Sequence, residues 1–139
     1  MSEIRVFTWP VRVYFQDTDA GGVVYHASYV NFMERARTEW LRSHGYSNAD
    51  LLREFGVMFV VRSLKLDYLR PALLDDMLEV TAEVADIGRS RLTLQQTVRR
   101  EEELLTTGEV HLVCVSKETF KPVAVPEALR SQMLHQARI

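Results

Sequence analysis

Cysteine occurs once in the 139 residues, at Cys114. A single thiol excludes an internal disulfide and leaves no paired-cysteine spacing for a structural zinc. It also fits a protein kept in a reducing, cytoplasmic compartment. Charge of one sign is scarce too: 17 Lys and Arg stand against 19 Asp and Glu, a formal charge of −2. That balance excludes bulk electrostatic nucleic-acid binding. No apolar run approaches the roughly 20 residues that span a bilayer. The opening Met1-Ser2-Glu3-Ile4-Arg5 lacks the apolar stretch of a signal peptide. Repeats, low-complexity tracts and linkers are absent as well. The expectation is one domain over residues 1–139, large enough to bury roughly 68–70% of its unfolded surface.

What remains is a change of period along the chain. Val11-Arg12-Val13-Tyr14-Phe15 is β-branched and aromatic, which predicts a strand over residues 8–16. A polar turn follows over 17–22, where Gly21 and Gly22 permit backbone angles that a Cβ disfavours. Tyr29, Met33, Ala36 and Trp40 then recur at helical spacing and predict a helix over 27–44. Ser28 or the residues just before it are its candidate cap, and Gly45 its stop. A short helix around 48–54 follows, with Asn48 as cap.

Beyond Gly56 the period becomes two. Met58, Val60, Arg62, Leu64, Leu66 and Tyr68 share one face of a strand over 57–69, which Arg70-Pro71 ends. Strands over 77–87, 90–100 and 108–117 follow. Leu78, Val80, Ala82 and Val84 face inward on the first of these; Leu92, Leu94, Gln96 and Val98 share a face of the second. A charged hairpin end is expected over 99–103, and Pro126 opens a terminal helix at its first turn. The order is an α+β layer with one long helix on a largely antiparallel sheet. The strand over 57–69 is suited to pairing with a second copy.

The chemistry concentrates in Asp17-Thr18-Asp19-Ala20-Gly21-Gly22-Val23-Val24-Tyr25-His26, at the strand-to-helix corner. In one reading the carboxylates cap a turn. In the other, one carboxylate faces a substrate carbonyl while N–H groups of residues 23–26 meet the developing oxyanion. One such donor is worth on the order of 10²–10³ in rate. A calcium loop fails, because Gly21 and Ser28 stand where ligands are required. A transition-metal site on Asp17, Asp19 and His26 lacks a second nearby histidine, so no metal is assigned. No Gly-Xaa-Ser-Xaa-Gly elbow exists, and Cys114 reads as a small core hydrophobe. His44, His111 and His135 read as structural or surface residues. Arg62 interrupts an apolar strand face, either to pair at an interface or to line a ligand channel. Arg89, Ser90 and Arg91 form a basic turn able to hold phosphate.

The run Val13-Tyr14-Phe15-Gln16-Asp17-Thr18-Asp19-Ala20-Gly21-Gly22-Val23-Val24-Tyr25-His26-Ala27-Ser28-Tyr29-Val30, continuing into Glu34-Arg35-Ala36-Arg37-Thr38-Glu39, resembles the hotdog-fold acyl-CoA thioesterases of the 4-hydroxybenzoyl-CoA thioesterase class. Within that class it is most similar to the YbgC-like enzymes associated with the Tol-Pal envelope system. Trp9-Pro10-Val11-Arg12-Val13, Phe59-Val60-Val61-Arg62, Pro71-Ala72 and Leu74-Asp75-Asp76-Met77-Leu78 extend the likeness over most of the chain.

The resemblance implies a five-stranded antiparallel sheet wrapped around a long central helix. It also implies a homodimer with composite sites, often a homotetramer, and hydrolysis of acyl-CoA thioesters. The catalytic carboxylate falls on Asp19, with His26 beside it and the oxyanion donor on the N–H near His26. Tyr14, Gly22, Val24, Tyr25 and Arg62 are assigned to substrate binding, and Arg89, Ser90 and Arg91 to the nucleotide end of coenzyme A. No separate cofactor is implied, because coenzyme A is part of the substrate. Close relatives read Tyr-Tyr-Glu-Asp where this chain has Tyr14-Phe15-Gln16-Asp17, so a phenol is absent at Phe15.

Asp19 either attacks the thioester or serves as general base to water, and Asp17 braces the loop. The competing reading is a scaffold that binds acyl-carrier protein, phospholipid-synthesis or cell-envelope proteins. Through such partners the protein would sit peripherally at the inner membrane.

Overall fold

The computed structural model describes residues 6–137. Strand β1 spans Phe7–Arg12, helix α1 Ser28–Ser43, helix α2 Asn48–Phe55 and strand β2 Val57–Tyr68. Strands β3 (Met77–Ile87), β4 (Arg91–Arg100) and β5 (Glu103–Ser116) follow, and helix α3 spans Glu127–Ala137. The strands form one antiparallel sheet in the order β1-β3-β4-β5-β2. The fold is α+β: a five-stranded antiparallel sheet carries the long helix α1, the hotdog arrangement. Among the described residues no helix is long and apolar enough to cross a membrane.

Helix α1 buries the stripe that its spacing predicts. Tyr29, Phe32, Met33, Ala36, Trp40 and Leu41 are buried. Its first half packs with Leu78, Val80 and Val98, and its second half with Leu92, Leu94, Val110 and Leu112. Gly45, at φ 92, takes the left-handed angle that stops it. The short helix α2 is capped by Ser47, not Asn48: the Ser47 hydroxyl accepts from the Asp50 N–H at 3.0 Å, and the Asp50 carboxylate accepts from the Ser47 N–H.

Four further expectations change. Strand β1 ends at Arg12 because residues 15–17 form a 3-10 turn, closed by the Asp17 carboxylate on the Tyr14 N–H. Strand β5 begins at Glu103, not 108. Glu101, at φ 55, makes the turn tight enough for Arg100 and Glu103 to pair across it. Pro126 lies just before α3, not inside its first turn, and its carbonyl accepts from the Arg130 N–H.

The fourth change concerns β2. Its pairing with β5 shifts between Val61 and Ser63, so Arg62 is an extra, bulged residue. A one-residue insertion reverses every side chain beyond it. Val57, Phe59 and Val61 therefore share a face with Leu64, Leu66 and Tyr68, opposite inward-facing residues of β5. The simple alternation expected for this strand does not hold.

His44, the residue after α1, is buried, and neither ring nitrogen has a hydrogen-bond partner among the described residues. Burial pushes its pKa below the ordinary value. Above about pH 6.5 both folded and unfolded chains hold a neutral ring. As pH falls below that value the unfolded chain takes up the proton first, so stability declines. Urea denaturation between about pH 7.5 and 5 is expected to show this slope, and His44→Phe to flatten it. An unchanged slope in the variant would place the titration elsewhere.

Candidate active site

The loop between β1 and α1 is held by its backbone. The Val24 N–H donates to the Ala72 carbonyl at 2.9 Å, and the Leu74 N–H to the Gly22 carbonyl at 3.1 Å. The Tyr25 N–H donates to the Asp17 carbonyl at 2.8 Å. Gly22 sits at φ 77, an angle that a side chain resists.

The two acids have different surroundings. Asp17 is buried, and its Oδ2 accepts the Tyr14 N–H at 2.9 Å. Its carbonyl also accepts from the Ser28 hydroxyl at 3.3 Å. Asp19 is exposed. Its Oδ1 accepts the Gly21 N–H at 2.9 Å, while Oδ2 has no partner among the described residues. The N–H groups of Val24 and Tyr25 are thus occupied, whereas those of His26 and Ala27 find no acceptor among the described residues. An exposed carboxylate and unpaired donors at a helix start therefore share one short loop.

Tyr68 at the end of β2 fixes that helix start. Its hydroxyl donates to the His26 carbonyl at 2.8 Å. Tyr29 stands edge-on to it at 5.3 Å and accepts the Ala72 N–H at 2.9 Å. Burial raises both phenol pKa values, so the rings act as neutral hydrogen-bonding groups. With Val24, His26 and Arg70 they line an open pocket of about 300 Å³. Beneath it Arg100 bridges Asp76 and Glu103, and its hydrogen bond holds the Glu103 carboxyl below the ordinary range.

The other assigned residues divide by position. Tyr14, Tyr25 and His26 are exposed at the loop, with the Tyr25 and His26 rings 4.3 Å apart, while Val24 is buried beneath it. Phe15 is 81% exposed, so its ring serves no packing role within one chain. Arg62 and Arg91 meet in a cleft of about 440 Å³ with Asp86, Thr93 and His111, on the sheet face turned from α1. Arg89, Ser90 and Arg91 do not meet Asp19 within one chain. They follow the far end of β3, whose 11 residues extend about 35 Å from the loop's anchors at 72–76. Sequence reasoning misses Tyr68 and Tyr29 as site residues. The available signal is an aromatic at a strand end, just before Arg70-Pro71.

A five-stranded antiparallel sheet on one long helix, with an acid-bearing loop at the helix start, defines a hotdog-type enzyme. The family described as the thioesterase superfamily matches residues 21–107. Among curated proteins the chain is 52% identical over 125 residues to the acyl-CoA thioester hydrolase YbgC of Escherichia coli O157:H7, covering 89% of this chain and 92% of that one. It is 43% identical over 129 residues to the acyl-CoA thioesterase YbgC of Haemophilus influenzae, covering 93% and 95%. Among solved structures it is similar to a thioesterase of Thermus thermophilus complexed with coenzyme A and zinc, at 33% identity and a TM-score of 0.78, covering 94% and 98%. The chain belongs to the thioesterase superfamily, on its YbgC branch.

Removing the Tyr68 hydroxyl tests the anchoring of the helix start. Tyr68→Phe is expected to forfeit about 0.5–1.5 kcal/mol of that anchorage. If the loss falls on the reacting geometry, kcat for thioester hydrolysis drops roughly two- to tenfold with little change in melting temperature. Steady-state kinetics beside a thermal melt checks this.

Proposed function

We propose that this enzyme hydrolyses acyl-CoA thioesters to a free acid and coenzyme A, with Asp19 as the reacting carboxylate. The observation that carries the reading is a loop that holds, just before α1, an exposed Asp19 whose Oδ2 and a His26 whose N–H both lack a partner among the described residues. A thioester carbonyl oxygen placed on that N–H gains a donor aligned with the helix dipole. The carboxylate then either adds to the carbonyl carbon, forming an anhydride that water cleaves, or takes a proton from the attacking water. In both routes the C–S bond breaks and the thiolate leaves without a strong general acid. Asp17 keeps the loop in shape through Tyr14, and the His26 ring, exposed beside Tyr25, orients the carbonyl or the water.

The coenzyme A end calls for a second chain. Strand β2 is a 12-residue sheet edge with Val60, Val61 and Leu64 exposed. Antiparallel pairing of two such edges brings the partner's start of β2 beside this chain's Tyr68. Arg91 pairs with Val113, and Val113 with Val60, near that start. The partner's basic turn then approaches this chain's Asp19 loop, and the separation of about 35 Å within one chain no longer matters. The functional unit is thus a homodimer with composite sites.

Asp19→Asn keeps the size of the side chain and its acceptor for Gly21. Turnover of acyl-CoA is expected to fall about 10²–10⁴-fold, with the fold and coenzyme A binding retained. Free-thiol release measures the first and calorimetric titration the second. Near-normal turnover would sink the assignment. Single-turnover hydrolysis in heavy-oxygen water separates the routes, because only the anhydride route can place an Asp19 oxygen in the product.

A further inference from the structure

Arg100, at the end of β4, lies outside the Asp19 loop and does not line the open pocket. Its guanidinium works on residues 69–76, the stretch between β2 and β3 that carries no helix or strand. Nη1 donates to the Asp76 carboxylate at 2.7 Å and to the Pro71 carbonyl at 3.4 Å. Nη2 donates to Glu103, whose other oxygen accepts from Arg70 at 3.0 Å. One fork thus holds both ends of the stretch from Pro71 to Asp76. Among the described residues Asp76 has no other cation. Its Oδ2 also accepts the Leu73 N–H at 2.8 Å. Asp75 sits at φ 70, an angle that a side chain resists, and Arg12 holds its carbonyl at 2.8 Å.

This stretch in turn holds the reacting loop. Ala72 is fully buried. Its carbonyl accepts the Val24 N–H at 2.9 Å, and its N–H donates to the Tyr29 hydroxyl at 2.9 Å. The Leu74 N–H reaches the Gly22 carbonyl at 3.1 Å. Burial raises the Tyr29 pKa, while the Ala72 N–H and the Arg100 charge oppose it, so the guanidinium is felt at the phenol. Ion pairs near the surface add little stability, so what Arg100 supplies is position. We propose that Arg100 is a positioning residue for the thioester hydrolysis: through the Ala72 peptide it sets where the Asp19 loop meets the start of α1. The inference rests on the proposed role of Asp19 and adds a residue that acts only through the backbone.

Arg100→Gln removes the charge and the fork. Its kcat for acyl-CoA is expected to fall about tenfold or more. KM and calorimetric coenzyme A affinity are expected to stay within about twofold, and the melting temperature to drop by only a few degrees. Arg100→Lys keeps the charge but cannot reach Pro71, Asp76 and Glu103 together, and is expected to lose about threefold in kcat. Arg42→Gln breaks an exposed pair with Glu39 on α1 and is expected to keep wild-type kcat. Tyr29→Phe removes the acceptor of the Ala72 N–H. In that background Arg100→Gln is expected to cost at least about threefold less, because both changes act on one peptide. Without substrate, the Val24, Ala72 and Leu74 amides of Arg100→Gln are expected to exchange hydrogen at least about tenfold faster. The Lys117 amide, bonded to the Gly56 carbonyl, is expected not to change. Wild-type kcat in every folded Arg100 variant, a loss carried by KM, an additive cycle with Tyr29→Phe, or unchanged exchange at Val24 and Ala72 would each overturn the proposal. The two readings fail separately. Near-normal turnover by Asp19→Asn, with the Arg100 effects intact, removes only the reacting carboxylate. Loss of turnover by Asp19→Asn, with Arg100→Gln like wild type, removes only the positioning.

Discussion

Gln96 is the joint at which the helix meets the sheet. Its side chain is fully buried, an expensive place for an amide unless every polar atom is used. The amide nitrogen donates to Met33 of α1 and to Thr81 of β3, and the oxygen accepts from Arg37. The β3–β4 ladder omits residues 81–82 and 96–97, and side chains supply the missing bonds there. Gln96 takes the Thr81 carbonyl, while the Thr81 hydroxyl takes the Thr97 N–H. Directly across, Gly108 leaves room for Met33. A Cβ there would lie 2.7 Å from the methionine sulfur. The closest approach of helix to sheet therefore needs a missing side chain on one strand and a hydrogen-bonding one on its neighbour. The two apolar clusters lie to either side of this joint.

Fixing α1 at its middle also fixes where it begins. The start of the helix is set by Tyr68 on the His26 carbonyl and by the Ala72 peptide, which donates to Tyr29 and accepts from Val24. The Ala72 segment is steadied in turn by Arg100, which reaches Asp76, Glu103 and the Pro71 carbonyl. These surface pairs contribute little stability individually. Their effect is geometric: they steady the helix start, where the N–H groups of His26 and Ala27 have no acceptor among the described residues, and the loop that carries Asp19.

Much of this was legible in the residues, for stated reasons. The stripe Tyr29, Met33, Ala36 and Trp40 is a strong helical period, so both the helix and its buried face were readable. The inward sets on β3 and β4 were readable for the same reason, with period two. Arg62 was readable as an anomaly but not as a bulge, because an inserted residue leaves the alternation of an apolar strand looking intact. Gln96 was placed on the correct face, yet nothing local shows that an amide among leucines has partners on two other elements. Arg37 is four residues after Met33 and three before Trp40, so its spacing already put it on the apolar stripe. Its partner, the buried amide of Gln96 on β4, emerged only with the fold. The loop was legible as a corner with two acids, and the different burial of Asp17 and Asp19 emerged only with the fold.

The long exposed edge of β2 connects these parts. A 12-residue edge rich in apolar residues invites pairing, opposed along its length by the bulge at Arg62 and the charges of Lys65 and Asp67. A bulge increases local twist and re-aims a side chain. Here it turns Arg62 toward Arg91 on one sheet face and leaves Val61 and Leu64 on the other. One extra residue thus assigns the two faces different tasks. The inner face keeps apolar surface for the helix, and the outer face gathers positive charge. Without the bulge, strict alternation would put Val61 and Leu64 on opposite faces, with Arg62 on the same side as Leu64. The combination of an apolar face toward α1 and a basic cleft on the opposite face of one edge strand depends on that insertion.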